Sequence, residues 1–234
     1  MYCNFDLSGF AISSSSDHRY KIANLENKEL ALQVLPKGLK LIPGALDRNA
    51  QEHLLVEIRK RVQKCPLFVP KMPKTGAPMS VKMTNFGPLG WVTDKEKGYR
   101  YQAKHPKTGD PWPDIPQALL DLWRHYADFD RGPEACLVNY YEPTAKMGMH
   151  QDRDENSFEA PVLSISLGDT CLFRFGGLNR NDPTRSFKLQ SGDVMLLSGN
   201  SRLIFHGVDR IYPGTSTLLK REGRINLTLR RVNA

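Results

Sequence analysis

His150, Gln151 and Asp152 place an imidazole and a carboxylate two positions apart. On an extended strand, positions i and i+2 share a face, so both side chains can bind one ion. A third donor is available in His206, which ends the β-prone run Leu203-Ile204-Phe205-His206. Two imidazoles and a carboxylate form the facial set of non-haem Fe(II) oxygenases, leaving three octahedral positions for a bidentate co-substrate and O2. An H-x-D pair also arises as an ordinary solvated pair, so these three residues alone leave both readings open. His18, His53, His105 and His125 lie in polar or helical surroundings and read as surface residues.

The C-terminal run Arg224-Ile225-Asn226-Leu227-Thr228-Leu229-Arg230 alternates with a period of two. Its polar side could simply face water. It could also floor an anion pocket, because the guanidinium fork binds a carboxylate through two parallel hydrogen bonds. Asn139 and Tyr141 form a second same-face pair able to complete such a pocket.

The elements that must position these groups fall into two textures. Asp47 to Gln63 carries Leu54, Ile58 and Val62 at helical spacing and predicts a helix ended by Cys65-Pro66. A second helix is predicted from Ile115-Pro116, with Leu119, Leu122, Trp123 and Tyr126 on one face. From residue 135 onward, short β-rich runs alternate with Gly, Asp and Asn turns. The predicted strands are Cys136–Tyr141, Val162–Leu167, Cys171–Phe175, Ser186–Leu189, Val194–Leu197, Leu203–His206 and Ile225–Leu229. That pattern suggests a β-sandwich or barrel, with a jelly roll leading. Residues 64 to 113 read as a long irregular stretch, and long loops of this kind carry function. Between Lys64 and Lys107 it holds nine Lys or Arg against Asp94 and Glu96, together with Trp91, Tyr99, Tyr101 and Trp112.

Lys plus Arg total 33 against 25 Asp plus Glu, an excess that suits a polyanionic partner. Cys3, Cys65, Cys136 and Cys171 are scattered without C-x-x-C spacing and read as reduced thiols. No signal peptide is expected at the N-terminus, and no apolar run approaches the roughly 20 residues that cross a bilayer.

Taken together, Asn139-x-Tyr141, His150-x-Asp152, His206 and Arg224-x-Asn226-x-Thr228-x-Arg230 resemble the AlkB family of 2-oxoglutarate- and Fe(II)-dependent nucleic-acid dealkylases. The stretch Phe175-Gly176-Gly177-Leu178-Asn179-Arg180-Asn181-Asp182-Pro183 is similar to the family's bacterial DNA-repair members. So are Met83-Thr84-Asn85, Gly90-Trp91 and Pro111-Trp112-Pro113. The resemblance covers residues from about 32 to 231 and leaves out the N-terminal extension.

The resemblance implies an α+β, mainly β fold. Its core would be a double-stranded β-helix (jelly roll), with two helices in the N-terminal half and a nucleotide-recognition lid. Residues 1–30 would be a flexible extension and 31–234 a single dioxygenase domain, with the lid at about 64–113 and the core at about 135–231. His150, Asp152 and His206 would hold Fe(II). Asn139, Tyr141, Arg224, Asn226 and Arg230 would hold 2-oxoglutarate, Arg224 pairing with its distal carboxylate. Trp91 and Tyr99, with Tyr101 close by, would stack on the base, and Asp154 and Arg180 would contact it. A carboxylate at Asp154 suits cationic bases such as 1-methyladenine and 3-methylcytosine.

The implied reaction is oxidative dealkylation with O2, releasing succinate, CO2 and an aldehyde. The substrate would be alkylated DNA, single-stranded or with a flipped base, or else RNA. A monomer is expected, with no membrane attachment, in the cytoplasm of a bacterium or the nucleus of a eukaryote. One departure stands out: Trp91 and Tyr99 are one residue further apart than in the family, which the Asp94–Lys97 turn would absorb.

Overall fold

The structure, a computed structural model, describes residues 35–234. The expectation of a flexible extension over residues 1–30 lies outside the described residues, as do Cys3 and His18. In chain order the elements are β1 (Leu39–Ile42), α1 (Arg48–Lys64), β2 (Lys82–Phe86), β3 (Gly90–Asp94), β4 (Gly98–Gln102) and α2 (Gln117–Tyr126). They continue as β5 (Ala135–Tyr141), β6 (Met147–His150), β7 (Val162–Gly168), β8 (Thr170–Phe175) and β9 (Arg185–Leu189). The last three are β10 (Val194–Leu197), β11 (His206–Tyr212) and β12 (Arg224–Arg230).

Asp47 caps α1 by accepting a hydrogen bond from the Ala50 amide at 2.8 Å, and the helix buries Leu54, Leu55 and Ile58. Helix α2 begins directly after Pro116, which cannot donate a backbone hydrogen bond, and buries Leu119, Leu122 and Trp123. Six strands form a major sheet in the order β1-β10-β7-β12-β5-β2, and four form a minor sheet in the order β6-β11-β8-β9. From β5 onward the chain crosses repeatedly between the two sheets, and every pairing is antiparallel. This is a jelly roll.

The alternation along β12 decides the layering. Ile225, Leu227 and Leu229 join the cluster that contains Leu54, Leu119 and Trp123 of the helices. Each such burial contributes about 1.5–3 kcal/mol, and a one-residue slip would exchange all three for polar side chains. The opposite face, with Arg224, Asn226, Thr228 and Arg230, is thereby turned toward the minor sheet rather than toward water. The same division places Cys136 and Val138 of β5 on the helix side, and Leu137 and Tyr141 in the second cluster with Phe173, Phe175 and Val208.

Two expectations are corrected. Residues 64–113 are not one irregular stretch: β2 is the edge strand of the major sheet beside β5, and β3 and β4 form a separate hairpin. The hairpin signal was present in the alternation Trp91-x-Thr93 and Tyr99-x-Tyr101 around a turn whose Gly98 adopts φ +68°. The run Leu203–His206 is not a strand: Leu203 lies in a turn, Ile204 and Phe205 are irregular, and only His206 is extended, opening β11. Ser201 and the segment after it make local turn bonds, so the apolar residues Leu203-Ile204-Phe205 had suggested the wrong period.

Candidate metal centre and oxoacid pocket

His206 is paired directly with His150 where β11 and β6 meet, and their rings lie 4.6 Å apart. Asp152 follows two residues beyond the end of β6. Its carboxylate comes within 3.5 Å of His150 Nε2 and 3.6 Å of His206 Nε2. One donor atom from each of the three lies within 4.8 Å of the others, a spacing that can hold a metal ion. Both imidazoles are oriented from behind. His150 Nδ1 lies 2.9 Å from the Gly148 carbonyl and His206 Nδ1 lies 3.1 Å from that of Ile204. A carbonyl only accepts, so Nδ1 carries the proton and Nε2 offers its lone pair to the centre.

The electrostatics agree with a ligand set. Burial pushes His206 down to about 4, which keeps it neutral. Burial would raise Asp152, but Arg230 and the two histidines outweigh it and hold the carboxyl well below its usual range. For His150 burial acts downward, and contact with Asp152 overrides it to raise the imidazole above 6.5. The Asp152 backbone is fixed as well, since buried Arg202 donates to its carbonyl at 2.7 Å.

Across from these groups, β12 and β5 pair Arg224 with Tyr141 and Asn226 with Asn139. Arg224 is 1% exposed; its Nη2 donates to Ser166 Oγ at 2.7 Å, while Nε and Nη1 have no partner among the described residues. Asn139 Oδ1 is similarly unpaired, whereas Asn226 donates to Ser164 Oγ at 2.7 Å. A buried guanidinium with two unused nitrogens is costly unless an anion completes it. This donor set fits the carboxylate of an oxoacid.

At the rim, Trp91 and Tyr99 stack with centroids 5.6 Å apart and planes 22° apart. The turn between them is closed by Asp94, whose Oδ1 accepts from the Glu96 and Lys97 amides. Trp91 Nε1 donates to Asp154 Oδ2 at 2.7 Å. Arg180 lies 4.9 Å over the Phe205 ring and donates to the Met149 carbonyl, one residue before His150. Tyr101 is placed differently from its neighbours: its hydroxyl is held by Glu155 and Arg230.

Residues 38–230 match the family described as the 2OG-Fe(II) oxygenase superfamily. The alpha-ketoglutarate-dependent dioxygenase AlkB homolog of Caulobacter vibrioides is 55% identical over 200 residues, 86% of this chain and 90% of that protein. The alpha-ketoglutarate-dependent dioxygenase AlkB of Escherichia coli is 42% identical over 188 residues, 78% of this chain and 85% of that protein. The solved structure of OsALKBH1 superposes with a TM-score of 0.72 at 31% identity, covering 85% of this chain and 99% of that one. The chain belongs to the AlkB family.

As an AlkB-family member it is an Fe(II)- and 2-oxoglutarate-dependent dioxygenase. No helix among the described residues is long and apolar enough to cross a membrane.

Three residues at or near this AlkB-type site were missed or misread in the sequence. Glu155 and Arg202 are both buried and lie 3.3 Å apart. The run Asp152-Arg153-Asp154-Glu155 looks like a solvated charge cluster, and nothing local reveals that Glu155 turns inward. His105, expected at the surface, is 1% exposed. It bonds the Pro66 carbonyl and packs edge-on against Phe68 and Trp112.

Proposed function

We propose that this dioxygenase removes alkyl groups oxidatively from nucleobases in DNA, of the 1-methyladenine and 3-methylcytosine type, as a direct reversal of damage. The carrying observation is the Trp91–Tyr99 stack, tied by Trp91 to Asp154, two residues past a candidate iron ligand. Tyr99 is 49% exposed, so an aromatic face is open to a flat substrate at the rim. Stacking there returns about 1–3 kcal/mol per base, comparable with the few kcal/mol spent in unstacking it. Lys71, Lys74, Lys95, Lys97, Lys104 and Lys107 are exposed in the segments flanking and forming the hairpin and suit phosphates read without sequence preference.

In this reading His150, Asp152 and His206 hold Fe(II), and Arg224 binds the distal carboxylate of 2-oxoglutarate with help from Asn139, Tyr141 and Asn226. Arg230, expected to help hold 2-oxoglutarate, lies with Nη2 2.7 Å from Asp152 Oδ1, so in this reading it steadies Asp152 beside the oxoacid. Asp154 fixes the Trp91 indole and favours a cationic damaged base, with Arg180 at the opposite end of His150. When bound, Fe(II) and 2-oxoglutarate supply O2 activation; succinate and CO2 leave, and the hydroxylated alkyl carbon departs from the base as an aldehyde. The single strand or flipped base is the geometry in which a nucleobase reaches such a pocket. A monomer is expected, and the bacterial relatives suit the cytoplasm.

The test is anaerobic loading with Fe(II), followed by O2 and 2-oxoglutarate with 1-methyladenine or 3-methylcytosine oligonucleotides. Succinate and formaldehyde are expected in equal amounts. Oligonucleotide binding without turnover would favour a mere binding module. Turnover restricted to RNA, or to substrates without nucleic acid, would replace DNA as the substrate.

A further inference from the structure

Trp91 and Tyr101 face one another across the β3–β4 hairpin, and both bond to the loop that follows Asp152. Trp91 reaches Asp154, while the Tyr101 hydroxyl donates to Glu155 Oε1 at 2.6 Å. From Glu155 a chain of polar contacts leads to the metal centre. Arg230 Nη1 donates to Glu155 Oε1 at 3.0 Å and to the Tyr101 hydroxyl at 3.2 Å. The other arm of the same guanidinium, Nη2, lies 2.7 Å from Asp152 Oδ1, the oxygen nearest His150. Arg202 closes the circuit, with one arm 3.3 Å from Glu155 Oε2 and the other on the Asp152 carbonyl.

The network is dry. Side-chain exposure is 0% for Glu155, 3% for Arg202, 8% for Arg230 and 4% for Asp152. Two carboxylates and two guanidiniums therefore balance at low dielectric, each guanidinium spanning both acidic residues. Removing the Tyr101 hydroxyl or shortening Glu155 leaves the Arg230 Nη1 arm less constrained, and with it the orientation of the Nη2 arm that donates to Asp152 Oδ1.

We propose that Tyr101 and Glu155 are positioning residues: through Arg230 they fix the Asp152 carboxylate, so the lid hairpin and the metal centre report on one another. A nucleic acid docked on the Trp91–Tyr99 side of the hairpin would shift Tyr101, and the shift would reach Asp152. The coupling to substrate rests on the function proposed above; the positioning of Asp152 does not.

The experiment uses the full chain with Tyr101→Phe, which removes only the hydroxyl, and Glu155→Asp, which keeps the charge but shortens its reach. Melting curves establish that each variant is folded. Anaerobic titration is expected to show Fe(II) affinity about 10- to 100-fold weaker in both, the cost usual for losing a group that orients a ligand. In the Co(II)-substituted wild type with 2-oxoglutarate, adding a 1-methyladenine oligonucleotide should shift the d–d bands. In Tyr101→Phe that shift should vanish while oligonucleotide binding, read by anisotropy, is retained. Tyr101→Phe with wild-type Fe(II) affinity and a full spectral shift would overturn the proposal, as would wild-type binding with no shift. Failure of the wild type to bind any oligonucleotide would instead sink the proposed function, and the Fe(II) titrations would still decide the positioning role.

Discussion

Arg224 illustrates how one side chain can cost the fold and serve the site. Its guanidinium is buried with two nitrogens unpaired, so replacing it by an apolar group of similar length should be neutral or stabilising in the absence of oxoacid. For Arg224→Met, thermal melting without ligand is expected to match or exceed the wild type. The KM for 2-oxoglutarate should rise by roughly 30-fold or more, because losing one member of a buried charge pair costs about 2–5 kcal/mol. A melting temperature that falls sharply would mean Arg224 is structural.

The histidines give a second residue-scale prediction. Contact with Asp152 raises His150 above its ordinary value while burial lowers His206 to about 4, so in the metal-free protein a proton shared between the two imidazoles sits on His150. Fe(II) must displace that proton. Affinity should therefore rise by about tenfold per pH unit up to the His150 value and flatten above it. Anaerobic Fe(II) titrations over a pH series starting below 6.5 would check this, and an affinity independent of pH throughout would refute it.

At the scale of elements, the centre depends on how closely β6 and β11 approach. A Cβ on Gly207 would come within 2.5 Å of the Met147 carbonyl oxygen, a backbone atom that cannot step aside. Gly207→Ala should push the strands apart at the point where His150 meets His206. The expected cost is about 1–3 kcal/mol of stability from overpacking, with weaker Fe(II) binding. Denaturant unfolding together with metal titration would separate the two effects, and unchanged metal affinity would show that the strand spacing is not critical. The β3–β4 hairpin carries a different burden. It holds the aromatic stack and is tied to the core through Asp154 and Glu155, so the proposed base contacts and the proposed positioning of Asp152 both depend on it.

At the scale of the whole molecule, the charge excess of 33 Lys and Arg over 25 Asp and Glu becomes informative only once the lysines are located. Lys95 and Lys97 lie exposed at the hairpin tip. If both contact phosphates of a single strand, log affinity should fall with log salt, and replacing both by Gln should reduce the slope by about 1.4, or roughly 0.7 per phosphate. Anisotropy at several salt concentrations measures that slope directly, and an unchanged slope would move the phosphate track elsewhere.

The sequence by itself determined the ligand types and their spacing. His150-x-Asp152 and the alternation of β12 are local patterns, and a period of two states which side chains share a face. Local pattern also carried the two helices, six of the eight core strands (β6 and β11 were not read) and the family. Tertiary structure decided what each face looks at: the polar side of β12 turns inward because its apolar side is taken by α1 and α2. It also decided the inward turn of Glu155, the burial of Arg202 and His105, and the start of β11 at His206 rather than Leu203. Most of these depend on partners tens of positions away, or on competition between turn and strand, as with Arg202 on the Ala160 carbonyl or Glu155 on Arg230. No local window of residues contains that information, because desolvation and ion pairing are properties of the packed chain.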